Sequence, residues 1–237
     1  MRTTITLVFL MLLLRLWSGT KTHVYLFPGL GSDERIFEKI NLDSSYILVN
    51  IRYPVPAKGS TMKEYARTLI PQIDTSTNYL FIGVSIGGMI CVELAEVLKP
   101  GKVIIISSAK CRKELPFRYR FQSAIPLNKI IPKGIIKTGA KFLQPLVEPD
   151  RNKNKNTFKH MLRKKDKAYL KRSVDMIINW QRTEYNHTIV HIHGTKDHTL
   201  PIRQIKASHV IKKGSHMMAL TRGEEMNVLI LSILRGG

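Results

Sequence analysis

Ser85 stands at the centre of Gly83-Val84-Ser85-Ile86-Gly87, Asp197 closes Gly194-Thr195-Lys196-Asp197, and His216 follows Gly214-Ser215. A hydroxyl, a carboxylate and an imidazole can together attack a carbonyl. The imidazole takes the hydroxyl proton, and the carboxylate holds the imidazole in the right tautomer. Such an attack also needs backbone N–H groups aimed at the oxygen that gains charge. Ile86, the residue after the serine, is placed to supply one. Leu30, in Pro28-Gly29-Leu30-Gly31-Ser32-Asp33, is placed to supply the other. That stretch reads equally as a helix start with Ser32 or Asp33 as N-cap.

Positioning these groups requires particular elements. Asn78-Tyr79-Leu80-Phe81-Ile82 is short, apolar and β-prone, and Ile86 to Leu98 is apolar at helical spacing up to Pro100-Gly101. Ser85 therefore sits at the apex of a strand–turn–helix, where a strained backbone lifts its Oγ clear of the sheet. Residues two before and two after the serine crowd one another, so Gly83 and Gly87 fit there, and Gly88 extends the small patch. The pentapeptide alone recurs by chance, and a serine at such a turn is otherwise a simple helix cap. Further strands fall in step with it. His23–Phe27 feeds the Gly-rich turn, Thr188–Gly194 ends just before Asp197, and His209–Ile211 precedes His216 and a last helix from Glu224 to Leu234.

From about residue 23 onward the chain resembles the small α/β-hydrolases, most of all compact bacterial ones of broad specificity, through FPGLGSDERIF, GVSIGGM, HIHGTKDHTLP and GSHMMAL. The chain order Ser85, Asp197, His216 is theirs. The resemblance implies a three-layer α/β/α sandwich, a mostly parallel sheet of about six strands with a helical cap insertion. It implies Ser85 as nucleophile, His216 as general base, Asp197 as its orienting acid, and Leu30 and Ile86 as the oxyanion hole. No cofactor or metal is called for. The implied reaction is hydrolysis of a small-molecule carboxylic ester through an acyl-enzyme. A thioesterase, amidase or acyltransferase would use the same triad, and a non-catalytic ligand-binding relative usually lacks a triad member. Serine rather than aspartate at the elbow argues against dehalogenase or epoxide-hydrolase chemistry. Two departures stand out: Pro28 occupies a position where many relatives carry His, and nothing before His23 forms the usual N-terminal hairpin.

Along the 237 residues, strands are expected near 23–27, 46–52, 78–84, 102–107, 188–193 and 208–211. Helices are expected near 33–40, 61–73, 86–98 and 217–235. Strand–helix alternation predicts a parallel sheet covered on both faces. Residues 20–107 and 188–237 form the expected core. Residues 108–187 are too long for a loop and read as a helical cap, with a helix-prone run Lys159–Trp180 and prolines at 116, 126, 132, 145 and 149. Trp180, Phe121 and Phe142 are candidates to line its pocket, or else ordinary cap core.

The chain carries 38 basic and 17 acidic residues, net +21. Between Lys110 and Arg172 stand 19 basic and 4 acidic residues, so +15 of the excess lies in the expected cap. Such a surface attracts an anionic membrane or an anionic substrate, or serves only solubility. Nucleic acid is not expected, because no nucleic-acid motif accompanies the charge. Met1-Arg2 followed by the apolar run Ile5–Leu14 and the small residues Ser18-Gly19-Thr20 reads as a signal peptide or membrane anchor over 1–19. It implies an exported or membrane-associated protein, and a cytoplasmic one if that reading fails. Cys91 and Cys111 lack metal spacing and read as buried thiols. His191 and His193 share one strand face, without a nearby third ligand, and read as core or supporting histidines.

Overall fold

The computed structural model describes residues 21–124, 154–163, 165–185 and 188–236. The expected N-terminal segment 1–19, Phe142, Lys164 and Pro126, Pro132, Pro145 and Pro149 lie outside the described residues. Among the described residues six strands form one sheet: β1 (Thr22–Phe27), β2 (Tyr46–Asn50), β3 (Tyr79–Val84), β4 (Val103–Ile106), β5 (Val190–Gly194) and β6 (His209–Ile211). Their order is β2-β1-β3-β4-β5-β6, and every pair is parallel. Parallel strands need crossovers; α-helices supply those from β2 to β3, β3 to β4 and β4 to β5, while 3-10 turns lie between β1 and β2 and between β5 and β6. The described helices are α1 (Met62–Thr68), α2 (Ile86–Leu98), α3 (Phe117–Ala124), α4 (Lys155–Arg163), α5 (Lys167–Ile178), α6 (Met218–Thr221) and α7 (Gly223–Leu234).

The inner strands β1, β3 and β4 are nearly continuous buried apolar runs because both faces of the sheet are covered there. Tyr25, Phe27, Phe81, Val103 and Ile105 face α1 and α2, in a cluster with Met62, Tyr65, Leu69, Ile90 and Leu94. The alternate residues Val24, Leu26, Ile82, Ile104, Ile106 and Ile192 face the other way, onto Ile36, Phe37, Met218, Met226 and Ile230. The expected cap is bonded into both layers. Met161 of α4 belongs to the second cluster, while Met176 of α5 and Trp180 belong to the first.

Four helical expectations are corrected. The one over 61–73 is α-helical only over Met62–Thr68, and Ile70–Gln72 form a 3-10 turn. Instead of a helix over 33–40, Glu34–Phe37 form one 3-10 turn, with the Asp33 side chain accepting from Arg35 N–H. Ile36, Phe37 and Ile40 are all buried there, so burial of three side chains sets this segment's path. The run Lys159–Trp180 is two helices, because Asp166 takes an extended backbone and accepts from the N–H groups of Ala168 and Tyr169 to start α5. The last helix is interrupted at Arg222, which separates α6 from α7. Among the described residues no helix is long and apolar enough to cross a membrane.

Candidate active site

The turn after β3 gives Ser85 its character. Its φ of 54° and ψ of −121° lie where an L-residue is strained. The crowding expected from sequence is present. A Cβ on Gly83 would stand 2.6 Å from the Gly87 carbonyl carbon and oxygen, and one on Gly87 would stand 2.1 Å from the Phe27 carbonyl oxygen. Backbone from β1, β3 and α2 thus meets where no side chain fits. Ser108, just past β4, donates its hydroxyl to the Ser85 carbonyl at 2.6 Å. Ser85 N–H donates to Ile106 at 3.0 Å, so the strained residue is held from both ends.

The loops after β5 and β6 are bound to each other. Lys196 N–H donates to Gly214 at 2.8 Å, Thr195 N–H to Ile211 at 3.0 Å, and Lys213 N–H to the Thr195 hydroxyl at 2.8 Å. That junction brings the two loop residues together. His216 Nδ1 lies 2.8 Å from Asp197 Oδ2, and His216 Nε2 lies 3.0 Å from Ser85 Oγ. Ser85, His216 and Asp197 therefore form one line of hydrogen bonds, although 131 residues separate the first two in sequence. An ionised carboxylate only accepts, so Nδ1 of His216 carries its proton toward Asp197. Nε2 then presents a lone pair to the Ser85 hydroxyl.

Asp197 is almost fully buried at 4 % exposure. Burial alone would push its carboxyl up. The charge and hydrogen bond of His216, the charge of His193 and the Leu200 N–H outweigh burial and hold it below its ordinary value. The carboxylate's contribution to stability is therefore complete above the unfolded-state value of about 3.9 and is lost only as pH falls through its lower folded value. Its other oxygen, Oδ1, accepts from Leu200 N–H at 2.7 Å.

Ile86 follows the serine in sequence, and Leu30 lies in the turn after β1. Ile86 is the first residue of α2, where N–H groups have no partner within the helix. Gly29-Leu30-Gly31-Ser32 is a tight turn closed by Ser32 N–H to Gly29 at 3.1 Å. Gly31 takes φ 78° at its third position, the conformation a type II turn requires. The closing bond leaves Leu30 N–H outside the turn. The Gly29 Cβ position is 3.4 Å from Ser85 Cβ, which sets this turn beside the nucleophile. Tyr53 O–H donates to the Pro28 carbonyl at 3.1 Å and its ring stacks on Tyr169 of α5. Leu162 of α4 packs against Gly31.

Other candidates fall elsewhere. Trp180 is buried, and its indole N–H donates to Glu93 of α2 at 2.7 Å, so it ties the expected cap to the core. Phe121 is 42 % exposed and pairs with Phe117, which is 66 % exposed. Cys91 and Cys111 are buried and unbridged. His191 and His193 face each other on β5, with Nε2 of the first 3.2 Å from Nδ1 of the second. No group of three or more His, Cys, Asp or Glu residues is arranged to hold a metal among the described residues. Sequence reasoning missed Ser108, Leu200 and the tie between His193 and Asp197. Ser108 reaches Ser85 because β3 and β4 are neighbours, while Leu200 and His193 meet Asp197 through the path of the loop after β5.

The comparisons agree with this architecture. No protein-family model matches the sequence, and no curated protein matches it. Solved structures do. A thermophilic esterase from Thermogutta terrifontis superposes with a TM-score of 0.70 at 14% identity, over 92% of this chain and 90% of its own. A hydrolase from Pseudomonas aeruginosa gives 0.68 at 14%, over 92% and 91%. An enol-lactonase from Burkholderia xenovorans gives 0.66 at 14%, over 92% and 93%. The fold is that of the α/β-hydrolases. In this α/β-hydrolase fold the parallel sheet carries Ser85 on the turn after β3, Asp197 after β5 and His216 after β6.

The two strand histidines of the α/β-hydrolase sheet make a prediction. Burial pushes the imidazole of His191 far down and that of His193 down. The charges of His193 and Lys110 add to the effect at His191, while Asp197 opposes it at His193. A buried base with a depressed folded value leaves the unfolded chain binding more protons, so stability falls as pH falls below the unfolded histidine value of about 6.5. Chemical denaturation between about pH 7 and 5 should give net proton uptake on unfolding. A flat profile over that window would contradict neutral buried imidazoles.

Proposed function

We propose that this chain is a serine hydrolase cleaving carboxylic esters through an acyl-enzyme. The observation that carries the reading is the unbroken line from Ser85 Oγ through His216 to a buried Asp197. The names of the similar structures, an esterase and an enol-lactonase among them, support the same reaction class. In the proposed cycle His216 Nε2 takes the Ser85 proton as Oγ attacks the substrate carbonyl. The N–H groups of Leu30 and Ile86 stabilise the oxyanion. His216 then returns the proton to the departing alcohol, and water repeats the sequence on the acyl-serine, releasing the acid. Nothing in this cycle needs a cofactor. Thioesterase, amidase and acyltransferase activities use the same groups with another leaving group or acceptor. Turnover of a panel of p-nitrophenyl esters, with matched thioesters and anilides, tests the reading and ranks the leaving groups. No turnover and no covalent labelling by a fluorophosphonate would leave a ligand-binding protein on the same fold.

We propose further that 108–187 is the cap over this site. Leu162 stands against the Gly31 turn, Arg118 reaches the Thr199 carbonyl beside the Asp197 loop, and Arg172 donates to the Pro56 carbonyl at 2.7 Å. The cap's charge meets an anionic lipid surface. The exposed Phe117–Phe121 pair favours this over solubility alone, because an apolar pair among cations suits an interface. Each basic residue near such a surface contributes about 1 kcal/mol. Reversing the exposed Lys159, Arg163, Lys167 and Lys171 to Glu should weaken binding to phosphatidylserine vesicles by at least about tenfold. Binding by the wild type should fall with added salt, because exposed charges act over only about 8 Å at physiological ionic strength. Hydrolysis of a small neutral ester should change little. No vesicle binding at low salt would leave the charge a solubility device.

A further inference from the structure

Beside Asp197, near the same carboxylate oxygen that receives His216, lies a second imidazole that the proposed cycle does not use. His193 has 0 % exposure. Its Nε2 stands 2.8 Å from the Leu200 carbonyl and 3.4 Å from Asp197 Oδ2. Both neighbours are acceptors, so Nε2 carries the proton and Nδ1 presents a lone pair. The donor to that lone pair is His191 Nε2, 3.2 Å away. Leu200 is thereby held twice. Its carbonyl accepts from His193, and its N–H donates to Asp197 Oδ1 at 2.7 Å. The carboxylate is thus clipped by one oxygen to a residue that His193 anchors, while its other oxygen receives His216.

We propose that His193 is a positioning residue for Asp197, acting through Leu200, and that His191 fixes the His193 tautomer that makes this possible. The inference rests on the serine-hydrolase reading for its consequence in turnover, but the positioning itself can be read without turnover. A strand supports the acid: β5 ends at Gly194, and a side chain pointing out of a rigid strand places a loop carboxylate more accurately than the loop alone can. Misplacing a catalytic group by about 1 Å can cost about 100-fold in rate. The groups facing the dyad are Asp197 and His216 from the loops after β5 and β6, and Lys110 with its partner Glu114 from the segment after β4.

The test compares His193→Leu, His193→Gln and His191→Leu with wild type. Gln can place an N–H where His193 Nε2 stands, so it keeps the clip. Leu fills the space without a donor. His193→Leu should lower kcat by about 10- to 100-fold with KM nearly unchanged. It should also move the acid limb of the pH profile to lower pH, because a displaced carboxylate stabilises the His216 imidazolium less. His193→Gln should stay within about threefold of wild type. His191→Leu should shift the limb in the same direction by less, and it decides the matter should His193→Leu fail to fold. Rates within twofold and a superimposable profile for either Leu variant would overturn the proposal. Should wild type neither label with a fluorophosphonate nor hydrolyse any ester, the hydrolase reading fails by itself. The downfield proton resonance of His216 Nδ1–H then decides. Loss or movement of that signal in His193→Leu with retention in His193→Gln supports positioning, and an unchanged signal in all three variants refutes it.

Discussion

Ser85→Ala is expected to abolish fluorophosphonate labelling and to lower ester turnover by about 10⁶-fold, the scale on which losing a triad nucleophile acts. The fold should survive. Alanine has the same Cβ as serine, and the strained φ of 54° is imposed by neighbours that the substitution leaves in place. Those neighbours are the close backbone contacts around Gly83 and Gly87 and the bonds from Ser108 and to Ile106. The variant loses only the Oγ that faces His216 Nε2. Intact-mass analysis after labelling, with a melting curve for each protein, is the measurement. Undiminished labelling of a folded Ser85→Ala would move the nucleophile to another residue and dissolve the proposed site.

Much of this was legible in the residues. Runs such as Val-Ile-Ile-Ile at 103–106 can only be buried on both sides, which requires helices above and below the sheet. The elbow was legible because its glycines are demanded by contacts a few residues apart: Gly83 to Gly87, and Gly87 to the strand that β1 lays beside β3. Asp197 and His216 were legible from their places just past strand ends. The supporting groups were not, because one acts between neighbouring strands and the others through the path of a loop. Ser108 reaches Ser85 over 23 residues. His193 matters only because Leu200 folds back over it, and that turn carries no local signature. Trp180 read as pocket lining or as ordinary cap core, and its burial with an N–H donated to Glu93, 87 residues away, favours the second. Helix ends were the least legible: Asp166 and Arg222 divide periodic runs that look continuous on paper.

Asp197→Asn should lower kcat by about 10⁴-fold while leaving KM close to wild type and the fold intact, at a lower melting temperature because the buried carboxylate's contribution is lost. The argument is one of protons. Asn has the shape of Asp, and its carbonyl oxygen can keep the bond from Leu200 N–H that Oδ1 accepts at 2.7 Å. The amide NH₂ then takes the place of Oδ2 and faces His216 Nδ1 and His193 Nε2. A donor there compels His216 Nδ1 to accept, so the imidazole proton moves to Nε2, facing Ser85 Oγ. In that tautomer His216 offers the hydroxyl a donor and has no lone pair with which to take its proton. The reversed rotamer is no better, since it sets NH₂ against the Leu200 N–H. The negative charge that would stabilise the imidazolium is lost in either case. Single-turnover kinetics separate this from a folding defect, because acylation should slow while substrate binding persists. Turnover within about tenfold of wild type would mean that Asp197 does not orient His216 during the reaction.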